Sequence, residues 1–209
     1  MLAAAAALTF GAGAAQAQDA ERGSHKVAMC QGCHQIEGYQ ADFPIVYKVP
    51  KISGQDAGYL VSALTEYRAG DRKFPTMRAI AAPLSDEDIA DIAAYYSKLG
   101  KPGEPVPKTL ETPVPQELAA KVATCTSCHG ANFSTPIAPN IPRLAGQYAD
   151  FLYFAYRSYA VEGNPHYGRS NAMMAPMSKM LSDAEMKEFA AYLSELPGEL
   201  RTVQDPHFK

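Results

Sequence analysis

The chain has no apolar run of membrane-spanning length, no excess of basic residues and no cysteine outside two short motifs. Each absence removes a class of protein. A bilayer-spanning helix needs about 20 consecutive apolar residues, and the longest Ala-rich stretch here, within 1–17, is too short. A formal net charge of −3 argues against an electrostatic nucleic-acid binder, which would show a basic face. Charge is also even along the chain. Residues 1–100 carry 9 Lys+Arg against 11 Asp+Glu, and residues 101–209 carry 10 against 11, so no charge asymmetry orients a partner. Tryptophan is absent, from which nothing follows. No segment reads as a convincing strand. The length of 209 residues suits two small domains.

All four cysteines fall in Cys30-Gln31-Gly32-Cys33-His34 and Cys125-Thr126-Ser127-Cys128-His129. C-x-x-C-H is the attachment signature of c-type haem. Two cysteines three apart share one helical turn and can each form a thioether to a haem vinyl group. The histidine that follows then lies under the ring as an iron ligand. A zinc ribbon would need its two C-x-x-C pairs much closer than 95 residues apart, and a thioredoxin-like dithiol would need a βαβ context. The motifs therefore imply two covalent haem c groups, held by Cys30, Cys33, Cys125 and Cys128, with His34 and His129 as proximal ligands.

The repeat extends well past the motifs. Val49-Pro50-Lys51-Ile52-Ser53-Gly54-Gln55 is echoed by Ile141-Pro142-Arg143-Leu144-Ala145-Gly146-Gln147. Tyr59-Leu60 through Tyr67 is echoed by Phe151-Leu152 through Tyr159, and Leu84-Ser85-Asp86 by Leu181-Ser182-Asp183. Each half closes on Ala-Ala-Tyr, at 93–95 and 190–192. Between the halves, 5 prolines in residues 100–115 cannot continue a helix and form a stiff tether. The expected domains are 18–100 and 116–197, with a linker over 101–115 and a tail over 198–209.

Helices are expected over about 20–31, 56–69, 116–127 and 148–161, and after serine caps at Ser85 and Ser182. Ser85-Asp86-Glu87-Asp88 and Ser182-Asp183-Ala184-Glu185 both resemble capping boxes, the second more closely. Ile89, Ile92, Ala93 and Tyr96 recur at helical spacing, as do Met186, Phe189, Ala190 and Leu193, and these stripes are expected to be core.

A sixth iron ligand must come from outside the motifs, and methionine sulfur opposite histidine raises the potential. Met77 is the only methionine after the motif in the first half. The second half offers Met173, Met174, Met177 and Met180. Met77 precedes Leu84 by seven residues and Met174 precedes Leu181 by seven, which selects Met174 with Met177 next. The other methionines are read as packing around the ring or filling core gaps. His166 as ligand would instead give a bis-His haem of lower potential. His25 and His207 are expected to be solvated.

Residues 1–17 end in Ala15-Gln16-Ala17, an A-x-A cleavage pattern behind an apolar stretch, and read as the remnant of a secretory signal. Cleavage after Ala17 would leave 192 residues, soluble and periplasmic. Export fits the motifs, because bacteria attach c-type haem outside the cytoplasm.

Taken together, the two C-x-x-C-H motifs, the two Pro-x-x-x-Gly-Gln segments and the two Met-x6-Leu-Ser-Asp segments resemble dihaem proteins of the cytochrome c4 type over about 24–197. The resemblance implies an all-α fold of two tandem class I cytochrome c domains. It also implies that the backbone carbonyls of Pro50 and Pro142 hydrogen-bond the proximal histidines and orient them. The implied role is periplasmic electron transfer from respiratory donors to a terminal oxidase or other acceptor, with redox protein partners. The rival roles are a cytochrome subunit of a larger dehydrogenase complex, which would associate it with a membrane complex, and a dihaem peroxidase, which would need one open iron. Gly38–Val49, Gly163–Asn171 and the tail have no counterpart in the repeat.

Overall fold

In the computed structural model, which describes residues 18–99 and 106–204, the chain is two similar packs of helices laid against each other. The leader read at 1–17 and His207 lie outside the described residues, as does the first part of the linker. The first half holds α1 (Ala20–Ser24), α2 (Ala28–His34), α3 (Ala57–Ala69), α4 (Pro75–Ala81) and α5 (Asp86–Lys98). The second half holds a 3₁₀ turn (Gln116–Leu118), α6 (Ala119–His129), α7 (Ala149–Ser158), α8 (Met174–Met177) and α9 (Asp183–Glu195). The fold is therefore helical in both halves, as expected.

Both C-terminal helices start as their sequences dictate. Ser85 and Ser182 accept from the backbone three residues on, and Asp88 and Glu185 reach back to the serine N–H, so both capping boxes form. The expected stripes are the cores. Ile89, Ile92, Ala93 and Tyr96 are each no more than 3% exposed, and Met186, Phe189, Ala190 and Leu193 no more than 9%. Apolar burial of this kind is what holds short helices that would be marginal alone.

Two expectations need correction. The first helix is not continuous over 20–31. It breaks at His25–Val27 into α1 and α2, and α1 is held against α5. There the buried Asp91 carboxylate takes hydrogen bonds from Asp19 N–H, Arg22 and Lys26, each at 2.9 Å. Tertiary pairing to one carboxylate thus overrides local helix continuity. The segment with no repeat counterpart also forms strands. Gln40–Ala41 (β1) pairs antiparallel with Tyr47–Lys48 (β2) in a short hairpin, two residues each, below what alternation can reveal. The tail, which has no counterpart in the repeat, reaches back to the first half. Leu200 is 1% exposed, and Arg201 N–H donates to Ser53 carbonyl of the first half at 2.9 Å.

Candidate haem sites and the interface between them

In each half the motif forms a helix that ends on its histidine. Cys30 and Cys33 lie on α2, which ends at His34; Cys125 and Cys128 lie on α6, which ends at His129. Placing a cysteine pair three apart on a helix sets both sulfurs on one side of it. None of the four is in a disulfide, and all are half-buried. Burial pushes the Cys30 thiol up to about 11 and raises Cys125 as well.

The histidines are buried, at 8% and 7% exposure. His34 Nδ1 lies 2.9 Å from the Pro50 carbonyl, and His129 Nδ1 lies 2.9 Å from the Pro142 carbonyl. A carbonyl only accepts, so each Nδ1 carries the proton and each Nε2 keeps its lone pair. Burial lowers the pKa of both imidazoles, against the smaller opposing effect of these hydrogen bonds. A neutral, oriented imidazole is the form that binds iron.

Each Pro-to-Gln loop is set by its glycine. Gly54 (φ +80°) and Gly146 (φ +75°) are left-handed, and a Cβ on Gly54 would stand 2.4 Å from the Glu199 carbonyl. Gly54 N–H donates to Tyr96 carbonyl and Gly146 N–H to Leu193 carbonyl, both at 2.9 Å, which ties each loop to the last helix of its half.

The two loops then grip each other. Gln147 accepts the Lys51 N–H (3.0 Å) and donates to the Lys51 carbonyl (2.8 Å). Gln55 accepts the Arg143 N–H (2.9 Å) and donates to the Arg143 carbonyl (3.1 Å). Lys51 Nζ reaches the Gly146 carbonyl and Arg143 Nη1 the Gly54 carbonyl, each at 2.7 Å. Residue i meets j and j meets i, so the interface is isologous within one chain.

A second seam runs through the insertion at 163–171. Arg72 and Arg169 face each other in an antiparallel bridge between the halves. Arg72 lies over Tyr59 and Tyr67; Arg169 lies over their repeat equivalents Phe151 and Tyr159. Arg72 is paired with Glu66 at 2.5 Å, but serine stands at the equivalent position, 158. Arg169, 7% exposed, has an Nη2 with no hydrogen-bond partner among the described residues. The repeat offset could have revealed this pair, since each arginine precedes its methionine by five residues.

Met77 lies on α4, which starts at Pro75, and Met174 opens α8. Both are half-buried, as is Met177, whereas Met173 is 72% exposed. Asn171 Oδ1 accepts from the N–H groups of Met173 (3.0 Å) and Met174 (2.9 Å), and so fixes the start of α8. Met177 is held differently, its carbonyl accepting from the Tyr156 hydroxyl. His166 is exposed and packs edge-on to Phe43, and His25 is exposed.

These residues fit haem c. Each half offers two free thiols at helical spacing and a buried imidazole with one nitrogen still able to donate to iron. The buried, unpartnered guanidinium nitrogen of Arg169 suits the carboxylate side chains that haem carries, since a buried cation needs a counter-charge. Two such sites in one helical chain define a dihaem c-type cytochrome.

Comparison with known proteins agrees. The cytochrome c family model matches twice, over residues 20–100 and 116–197. Cytochrome c4 of Stutzerimonas stutzeri is 30% identical over 86% of this chain and 90% of its own length. The thiosulfate dehydrogenase electron acceptor of Stutzerimonas stutzeri strain A1501 is also 30% identical, over 91% of each chain. The crystal structure of reduced recombinant cytochrome c4 from Pseudomonas stutzeri superposes with a TM-score of 0.63 at 28% identity, over 87% of this chain and 100% of that one. The chain belongs to the cytochrome c family, in the tandem form of cytochrome c4, and carries two covalently bound haem c groups at Cys30/Cys33 and Cys125/Cys128.

Proposed function

We propose that this protein is a periplasmic carrier that takes up and passes on electrons one at a time, between respiratory donors and a terminal oxidase or other acceptor. When bound, haem supplies reversible one-electron chemistry at iron. His34 and Met77 hold the first iron, and His129 and Met174 the second. Pro50 and Pro142 orient the two imidazoles and keep their protons on Nδ1. Arg169 balances carboxylate charge in the buried seam between the halves. The observation that carries the reading is the matched equipment of the two halves: the same His–carbonyl contact at 2.9 Å, and a half-buried methionine at the same repeat position. Two occupied iron sites leave no vacant position for a substrate, which favours transfer over peroxide chemistry. Among the described residues no helix is long and apolar enough to cross a membrane, in keeping with a diffusible carrier.

A second reading makes the chain the dedicated electron acceptor of a dehydrogenase. It is supported by the 30% identity to a thiosulfate dehydrogenase electron acceptor. Stopped-flow mixing separates these roles. A shuttle is reduced by a donor and reoxidised by a purified terminal oxidase without forming a stable complex with either. A dedicated subunit co-purifies with its dehydrogenase. Turnover of hydrogen peroxide by the isolated protein would contradict both.

A further inference from the structure

The carbonyl of Pro50 and the N–H of Lys51 belong to one peptide group. Its oxygen accepts from His34 Nδ1 at 2.9 Å, and its N–H donates to Gln147 of the other half at 3.0 Å. The Pro142–Arg143 peptide repeats this, with His129 on its oxygen at 2.9 Å and Gln55 of the first half on its N–H at 2.9 Å. Each proximal histidine is therefore separated from the opposite half by a single peptide unit.

Hydrogen bonds in series polarise one another, and more so away from water. Gln55 and Gln147 are each 4% exposed, so solvent does not compete for these bonds. A peptide whose N–H is engaged carries more negative charge on its oxygen. That oxygen draws harder on the imidazole proton and makes Nε2 a stronger donor. A stronger imidazole donor favours ferric over ferrous iron and lowers the potential, because hydrogen bonding around the ligand is one of the protein's means of setting it.

We propose that Gln55 and Gln147 are positioning residues that tune the haems crosswise: Gln147 sets the potential of the first haem and Gln55 that of the second. The inference rests on His34 and His129 being the proximal ligands. It makes the contact between halves part of the redox site, so that any event parting the two loops raises both potentials together. The repeat itself hides this, since Gly-Gln in either half reads as a local turn.

The test uses the holo-protein with both haems attached. Gln147→Leu and Gln55→Leu are titrated spectroelectrochemically, with the two haems told apart by their NMR resonances. Gln147→Leu should raise the potential of the first haem more than that of the second, and Gln55→Leu should do the reverse. Gln147→Glu keeps an acceptor oxygen, so the first potential should stay at or below its wild-type value; this variant reports even where the leucine variant does not fold. Shifts that fall on each residue's own haem, equally on both, or on neither would overturn the proposal, as would a rise in Gln147→Glu. Failure of the ligand reading has a different mark: the wild-type protein would then not show two low-spin, histidine-ligated haems.

Discussion

Tyr47 of the first half stacks on Phe154 of the second, with ring centroids 4.1 Å apart and planes inclined by 22°. Tyr47 is 4% exposed and sits on β2 of the unrepeated hairpin, so an element outside the repeat is what fills this part of the interface. Phe74 joins at 5.7 Å from Tyr47, and Tyr167 of the insertion at 5.1 Å from Phe154. The two segments that distinguish the halves therefore meet each other.

Removing that stack should uncouple the halves. Truncating a buried aromatic side chain costs about 3–5 kcal/mol. Tyr47→Ala should split a single thermal unfolding transition of the holo-protein into two, followed by absorbance at each haem. One unchanged transition would show that the loop clasp alone holds the halves.

Methionine ligation is predicted to be separable by half. Met77→Ala should convert the first haem alone toward high spin, and Met174→Ala the second alone, each removing about half of the weak far-red methionine–iron band. Met177→Ala should leave that band intact. A loss in Met177→Ala equal to that in Met174→Ala would contradict the spacing argument.

Replacing a proximal histidine should be equally local. His34→Ala should abolish low-spin ligation in the first half and expose α2 and α3 to amide hydrogen exchange, while α6 and α7 keep their protection. A first half that stays protected would show that its fold does not depend on that bond.

Acid should weaken the first half through Asp91. Arg22 and Lys26 hydrogen-bond this buried carboxylate and hold its pKa well below the usual carboxylate range. A folded-state pKa below the unfolded one means that the contribution is full at neutral pH and is lost as pH falls from about 5 toward the folded value. Asp91→Asn should be less stable at neutral pH and should show a flatter decline on acidification. An unchanged slope in urea titrations across that range would dismiss Asp91 as the acid-sensitive group.

Much of this architecture was legible in the sequence because it is written at fixed spacing. The C-x-x-C-H motifs, the serine caps at 85 and 182 and the apolar stripes behind them each depend on neighbours within four residues, and each took the structure expected. The carbonyls of Pro50 and Pro142 came within reach through family resemblance, because contacts spanning 16 and 13 residues have no local signal. What stayed hidden is what depends on one half meeting the other. Gln55 and Gln147 look like turn residues until the second loop is present, and Arg169 looks like a surface arginine until its bridge to Arg72 buries it. The break between α1 and α2 was equally hidden, because Asp91, the residue that positions α1, is 69 residues from Arg22.

The central claim, two closed iron sites serving electron transfer, is tested most directly by a haem count and visible spectrum of the purified oxidised protein, repeated with cyanide. Two haems per chain, both low-spin, with the methionine–iron band at full strength and no rapid cyanide binding, is the result expected. One high-spin haem, or one that binds cyanide readily, would contradict the account and make the protein an enzyme with an open iron.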